Sequence, residues 1–268
     1  MVTKAAIVTL AIGAAYAERF EQLCRRNWTA YAERHGFDLV IIKQPLDTTE
    51  RAQRRSPAWQ KCLILDAPGV ADYERVVWVD SDVLLNPASP SILDGVPVEQ
   101  VGVTDEHVYP TPEARQEILR AVVASAPDHG ALGGKSYWAK WHEPGPWHEA
   151  MGLPGGQGHI VQTGVMVLSP RHHRDMLEHV YRAYEDGGLN YEMRFLSHEI
   201  LARDLAHWID PRFNALLWWL FLQANMGRGR VTTPREIQDF VMESYRRNYF
   251  LHFAGAANLM PLADPAGG

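Results

Sequence analysis

Val76-Val77-Trp78-Val79-Asp80-Ser81-Asp82-Val83-Leu84-Leu85 is the stretch on which the fold of this chain turns. Val76 to Val79 is apolar without alternation, the pattern of a strand buried on both faces of a parallel sheet. It delivers two carboxylates at its carboxyl end. Residues i and i+2 of an extended chain point the same way, so Asp80 and Asp82 can present oxygens to one hard divalent ion, which in turn neutralises a diphosphate. The plainer reading is a polar turn between strands, and spacing alone leaves both open.

Working outward, Ala5 to Leu10 and Asp38 to Ile42 read as two further buried strands. Between them Glu18 to His35 carries Phe20, Leu23, Cys24, Trp28 and Tyr31 at helical spacing and stops at Gly36. A second helix is predicted from Trp59 to Leu65, ahead of Val76. Alternating elements of this kind give an α/β fold with a mostly parallel central sheet flanked by helices, and place its site at the strands' carboxyl ends. Further on, Ile160 to Leu168 reads as a strand, and Arg171 to Asp186 and Tyr191 to Leu205 as helices. The second of these brings Phe195, Leu196, Glu199 and Ile200 near one another. Between Pro127 and Gly158 the chain crowds Gly, Pro, Trp and His together. A long irregular stretch of this kind fits a mobile lid, and Trp138, Trp141 and Trp147 fit platforms for sugar rings. Leu262 to Gly268 reads as a loose tail.

Composition narrows the function classes. The 268 residues are 46% hydrophobic and 22% charged, an ordinary globular balance read as one domain with insertions. A formal charge of −6 argues against a general nucleic-acid binder. Cys24 and Cys62 have neither metal-ligand spacing nor enough partners for a disulfide framework, and read as free thiols of a reducing, cytoplasmic compartment. Lys4, the apolar run after it and Ala15-Tyr16-Ala17 imitate a signal peptide, but Ile7-Val8-Thr9-Leu10 serves as a buried first strand, the reading adopted. No run reaches the ~18–20 apolar residues of a membrane span. His142-Glu143 and His148-Glu149 lack the spacing of a zinc hydrolase, and Gly13 alone is no dinucleotide fingerprint. His172-His173 reads as a surface pair.

The run Val77-Trp78-Val79-Asp80-Ser81-Asp82 resembles the Asp-X-Asp motif of GT-A glycosyltransferases, especially the retaining glycogenin-like and galactosyl- and xylosyltransferase families. Other stretches agree in order. Val8-Thr9-Leu10-Ala11 with Gly13 and Tyr16 resembles their nucleotide-binding first strand and loop. Trp59-Gln60-Lys61 resembles the helix that sends a lysine toward the donor, and Ile160 to Leu168, with Gln162 and Gly164, the Asn-(Ser/Ala)-Gly-Val strand. Ile209 to Asn214 is similar to a late strand with a Phe-Asn pair, and Leu251-His252-Phe253-Ala254-Gly255 to the terminal histidine of the metal site. The resemblance implies a GT-A fold, with a nucleotide-binding half over about 1–110 and an acceptor-binding half over about 111–260. It implies a UDP-sugar donor and a saccharide, glycoconjugate or small-molecule acceptor. Asp80, Asp82 and His252 would hold Mn²⁺, with Mg²⁺ as the alternative, a donor set suited to manganese. Thr9, Ala11, Tyr16, Lys61, Asp80, Ser81, Asp82 and Gly255 would bind the donor, and Gln162, His198 and Glu199 would serve the transfer.

Three positions depart from the pattern. Gln162 stands for Asn, His198-Glu199 for Asp-Gln, and Asn258 for a phosphate-binding lysine. Arg51, Arg54, Arg55 and Lys61 are candidates to replace that charge, although such an arginine run also fits a solvated face. A nucleotide-sugar hydrolase and a non-enzymatic nucleotide-sugar binding protein share the donor-site reading.

Overall fold

The computed structural model describes residues 4–125, 143–150, 152–185, 190–226 and 231–263. β1 (Ala5–Leu10), β2 (Asp38–Ile42) and β3 (Arg75–Val79) fall where the apolar runs place them. β1 pairs in parallel with β2 on one side and β3 on the other. The six-stranded sheet runs β2-β1-β3-β6-β5-β7, where β5 is Val101–Asp105, β6 Val161–Leu168 and β7 Ala206–Trp208. β6 pairs antiparallel with both β3 and β5, while β7 lies parallel to β5. The sheet is therefore mostly parallel, with one reversed strand in its middle.

Both faces of this sheet are covered, which is why its strands lack alternation. Ile7, Val77, Val79 and Val167 pack on one side with Phe20, Trp28 and Phe250. Ala6, Val8, Trp78 and Met166 pack on the other with Trp59, Leu177 and Leu196.

The first helix begins earlier than its periodicity predicts. It starts as α1 (Ala14–Arg19), continues through a π turn at Phe20–Cys24 and becomes α2 (Arg25–His35), capped by left-handed Gly36. None of Ala14–Arg19 is buried, so that turn gives no apolar signal. Trp28 Nε1 donates to Val83 O at 2.8 Å and Asn27 Oδ1 accepts from Leu85 N at 3.0 Å, tying α2 to β4 (Val83–Leu85). The segment predicted as a helix over Trp59 to Leu65 is a 3₁₀ helix, Pro57–Asp66, whose residues are buried around most of its girth. Such a segment shows no single apolar stripe.

A second sheet, β4-β9-β8, lies beyond the first, with β8 at Ala215–Leu216 and β9 at Phe250–His252. The late strand expected over Ile209 to Asn214 is instead a 3₁₀ turn at Pro211–Asn214, opened by Pro211 and capped by Asp210, just after β7 ends at Trp208. His173, read as half of a surface pair, is buried. It accepts from Ser169 N at 2.8 Å and reaches Glu99 O at 3.0 Å, so its imidazole joins the helix Pro170–Ala183 to the loop before β5. Among the described residues no helix is long and apolar enough to cross a membrane.

Candidate active site

β1 is the strand from which the chain turns outward to both sides, and ligands of open α/β sheets bind beyond the carboxyl ends of strands at such a point. β3 ends there at Val79. Asp80 N donates to Gly164 O of β6 at 2.8 Å, and Phe253 N, just after β9, donates to Asp82 O at 3.0 Å. Asp80 is thus fastened to the first sheet and Asp82 to the second, with Ser81 between. Beneath the turn, burial pushes the Cys24 thiol up. It stays protonated and donates to the carbonyls of Ser81 and Val83.

β9 brings His252 to the two carboxylates. Its Nε2 is 3.3 Å from Asp82 Oδ1 and 4.0 Å from Asp80 Oδ2, and one ligand atom from each of the three lies within 4.8 Å of the others. His252 Nδ1 lies 2.9 Å from Asn214 Oδ1, an acceptor only, so the proton sits on Nδ1 and the Nε2 lone pair faces the carboxylates. Burial works against a charged His252, but the carboxylates, Asp82 first, outweigh it and raise its affinity for a second proton. Burial likewise opposes ionisation of Asp82, and His252 outweighs that to hold it below the usual range. A proton on Nε2 and a divalent cation are alternatives at the same place.

Gly164 makes the convergence possible. A Cβ there would stand 2.7 Å from His252 Nδ1, nearer still to Cε1, and 3.3 Å from Asp80 Oδ2. Two carboxylates and a tautomer-fixed imidazole, closed in by a glycine, fit a divalent ion with open positions for oxygen ligands.

This cluster lies where two lobes of a cleft meet. The first lobe, about 520 Å³, is lined by Leu10, Ile12, Tyr16 and Ala58 among others. The second, about 420 Å³, is lined by Glu106, Gln162, Glu192, Trp218 and Trp219 among others. Lys61, Asp80, Asp82, Tyr191 and Gly255 border both. Lys61 is buried with its Nζ 3.0 Å from Asp80 and 2.8 Å from Glu192. Burial works against its ammonium, but Asp80 and Glu192 outweigh it and keep it protonated.

Of the residues singled out from sequence, Tyr16, Lys61, Ser81 and Gly255 border the first lobe with the two aspartates, and Gln162 the second. Thr9 and Ala11 do not. Side chains alternate along an extended chain, and these two are fully buried while Leu10 and Ile12 face the cleft. Glu199 is also displaced: it accepts from Tyr184 Oη at 2.6 Å and pairs with Arg203 at 2.9 Å, outside both lobes. His198, buried with its ring 6.0 Å from that of His148, lines neither. Arg51 and Arg55 are committed to Glu185 and to carbonyls at the end of the helix Pro170–Ala183, and Arg54 pairs with Glu50. Trp147 is fully buried against Ile118, Leu119 and Trp219, which rules it out as an exposed sugar platform. Trp138 and Trp141 lie outside the described residues, as does the stretch around them.

Sequence reasoning passed over Glu192 and Glu106. Glu192 precedes the helix Met193–Ala202, directly after Asn190 and Tyr191, which both take positive φ, 81° and 44°. Left-handed backbone at a non-glycine pair is costly and collects at working sites. Asn190, the residue type most tolerant of that conformation, is the one local sign of the turn.

Glu199→Gln is expected to cost about 1–2 kcal/mol of stability for the weakened hydrogen bonds with Tyr184 and Arg203. A denaturant melt measures this, and an unshifted midpoint would mean that these contacts contribute nothing.

No protein-family model matches the chain, and no curated protein matches it in sequence. Solved structures do match in shape. A glycosyltransferase involved in glycosylating the major capsid of PBCV-1 is 14% identical, with 96% of this chain covering 99% of that one at a TM-score of 0.54. An active-site mutant of LgtC is 13% identical, with 96% covering 95% at a TM-score of 0.50. The mostly parallel sheet, the smaller sheet beside it and the Asp80-Ser81-Asp82 turn between them are those of a chain with the GT-A glycosyltransferase fold.

Proposed function

We propose that this chain is a metal-dependent glycosyltransferase that moves a hexose from a UDP-sugar to an acceptor hydroxyl, with retention of configuration. The observation that carries this is the convergence of Asp80, Asp82 and His252 at the boundary of two lobes. A donor diphosphate at that boundary puts its nucleotide in the first lobe, beside Tyr16, and its sugar at the mouth of the second. This reading keeps a nucleotide half over about 1–110, which contributes Tyr16 and Arg19 to the first lobe, and an acceptor half over about 111–260, which contributes Gln162 and Trp218 to the second, with Gly255 and Asn258 reaching the first lobe and Glu106 the second.

Mn²⁺ or Mg²⁺, when bound, supplies Lewis-acid neutralisation of the charge that builds on departing UDP. The chain's own residues do the rest. Lys61, fixed between Asp80 and Glu192, adds a positive charge at the meeting of the lobes. Glu192 presents a buried carboxylate to the second lobe, where positive charge grows on the anomeric carbon as the leaving group departs. Gln162 is oriented by Glu106, to which its Nε2 donates at 3.0 Å, and by Gly164 N, which donates to its Oε1 at 3.0 Å. It is positioned to hold a sugar hydroxyl. The acceptor enters over Trp218, 47% exposed at the second lobe, whose ring offers an apolar face to a pyranose.

The reading is tested by incubating the protein with Mn²⁺ and a panel of UDP-sugars, with and without saccharide, glycoconjugate and small-molecule acceptors, and following UDP release. Transfer accelerates with an acceptor, a hydrolase needs only water, and a binding protein retains the donor unchanged. Product configuration read by NMR checks retention. Trp218→Ala is expected to raise the acceptor KM about 5- to 10-fold, the worth of one aromatic contact, with donor KM nearly unchanged. A collapse of donor affinity instead would place Trp218 on the nucleotide side.

A further inference from the structure

Among the described residues, two cations line the first lobe, Lys61 and Arg19, and one of them is committed. Lys61 is held between Asp80 and Glu192. Arg19 forms no ion pair among the described residues; its guanidinium sits 5.4 Å over the ring of Tyr16, itself 56% exposed in the cleft. Its helix offers no acid within reach, because the residues three and four away are Ala15, Tyr16, Gln22 and Leu23. Neighbouring carboxylates are occupied. Glu18 accepts from Gln22 at 3.0 Å, and Glu21 pairs with Arg25 at 2.7 Å and Lys43 at 2.8 Å. Arg19 also stands where α1 passes into the π turn, a break in winding that recurs at functional sites.

The charge balance of the lobe gives this residue a task. A divalent ion held by Asp80 and Asp82 is formally neutral with them, and Lys61 is offset by Glu192. Asn258, on the same lobe, adds no charge. Those groups sum to zero charge before a diphosphate arrives, so its net negative charge is left unbalanced unless a further cation meets it. We propose that Arg19 is the diphosphate-binding cation of the first lobe. Its guanidinium donates to non-bridging phosphate oxygens while its flat face stays against Tyr16, a pairing of planar fork and phosphate that a compact ammonium does not reproduce. The proposal rests on the nucleotide-sugar reading above and adds to it the residue that recognises the phosphates.

The test is calorimetric titration of parent, Arg19→Ala and Arg19→Lys with UDP and with uridine in the presence of Mn²⁺. Arg19→Ala is expected to weaken UDP about 10- to 100-fold, the range for hydrogen bonds to a charged group, and to leave uridine unchanged. Arg19→Lys should fall between, and Arg19→Ala/Asn258→Lys should recover part of the loss, because position 258 faces the same lobe. UDP affinity of the parent should decline with added salt more steeply than that of Arg19→Ala. Equal UDP binding by parent and Arg19→Ala, or an equal fall for UDP and uridine, overturns the assignment; the latter would mean that Arg19 only props Tyr16. Failure of the parent itself to bind UDP would instead remove the nucleotide-sugar reading, and the parent titration shows that before any variant is compared.

Discussion

Asp82→Asn is expected to lower kcat/KM for sugar transfer at least about 100-fold, a loss of roughly 2.7 kcal/mol of transition-state stabilisation. The substitution keeps the side chain's shape and leaves the hydrogen bond from Phe253 N to the backbone carbonyl of residue 82 in place, so the fold should survive it. What is lost is one of two carboxylate charges facing His252 Nε2. Asp80→Asn should also impair turnover, with an added effect on Lys61, whose ammonium would keep only Glu192 as a charged partner. The two substitutions together should cost far less than the sum of the singles, because both act on one ion. Transfer assays across a metal titration, with circular dichroism to show folding, decide the matter. Full activity of the parent in excess chelator would overturn it.

Arg115→Met is expected to cost about 3–5 kcal/mol of folding stability, the usual result of removing one partner of a buried ion pair. Arg115 is wholly buried at the start of the helix Pro112–Ser125, with Nη2 2.5 Å from Glu106 Oε1 and Nε donating to Glu106 O at 2.9 Å. Burial already pushes the Glu106 carboxyl up, with Arg115 opposing that rise most strongly. Without the guanidinium, Glu106 retains Trp219 Nε1 at 2.9 Å and Gln162 Nε2 at 3.0 Å, neutral donors that do not balance its charge. Arg115→Met/Glu106→Gln should regain much of the loss, since no charge is then stranded. Urea midpoints for the three proteins measure this. A fully stable Arg115→Met would mean that the pair contributes nothing.

The parts of the fold that were legible in the sequence are those where burial on two faces wrote long apolar runs: β1, β3 and β6 fall within a residue of their predicted limits. The second sheet was not legible as a sheet. Its strands are two or three residues long, too short for periodicity to register, and its pairing of β4 with β9 joins distant parts of the chain. The carboxylate pair showed itself because both members leave one strand end, and His252 was reached only through resemblance. Glu192 stayed hidden because what distinguishes it is a contact with Lys61 from a remote segment. Glu199 was named through the family pattern along its helix, and that pattern gives no sign of the contacts with Tyr184 and Arg203 that its carboxylate makes. Trp147 misled for a related reason, since Gly and Pro around an aromatic ring look like a surface loop while tertiary packing buries it.

The three would-be ligands do not belong to one rigid element. Asp80 is tied to the middle of the six-stranded sheet, at the end of β3, through Gly164 of β6, whereas Asp82 and His252 go with the three-stranded one. The ligand geometry is thereby a gauge of how the two sheets are seated on each other. Repacking Val83, Phe213 or Phe250, which line neither lobe, is expected to shift that seating. In a library screened only for turnover, such core positions would score as active-site positions, and a screen for stability run in parallel is what tells the two apart.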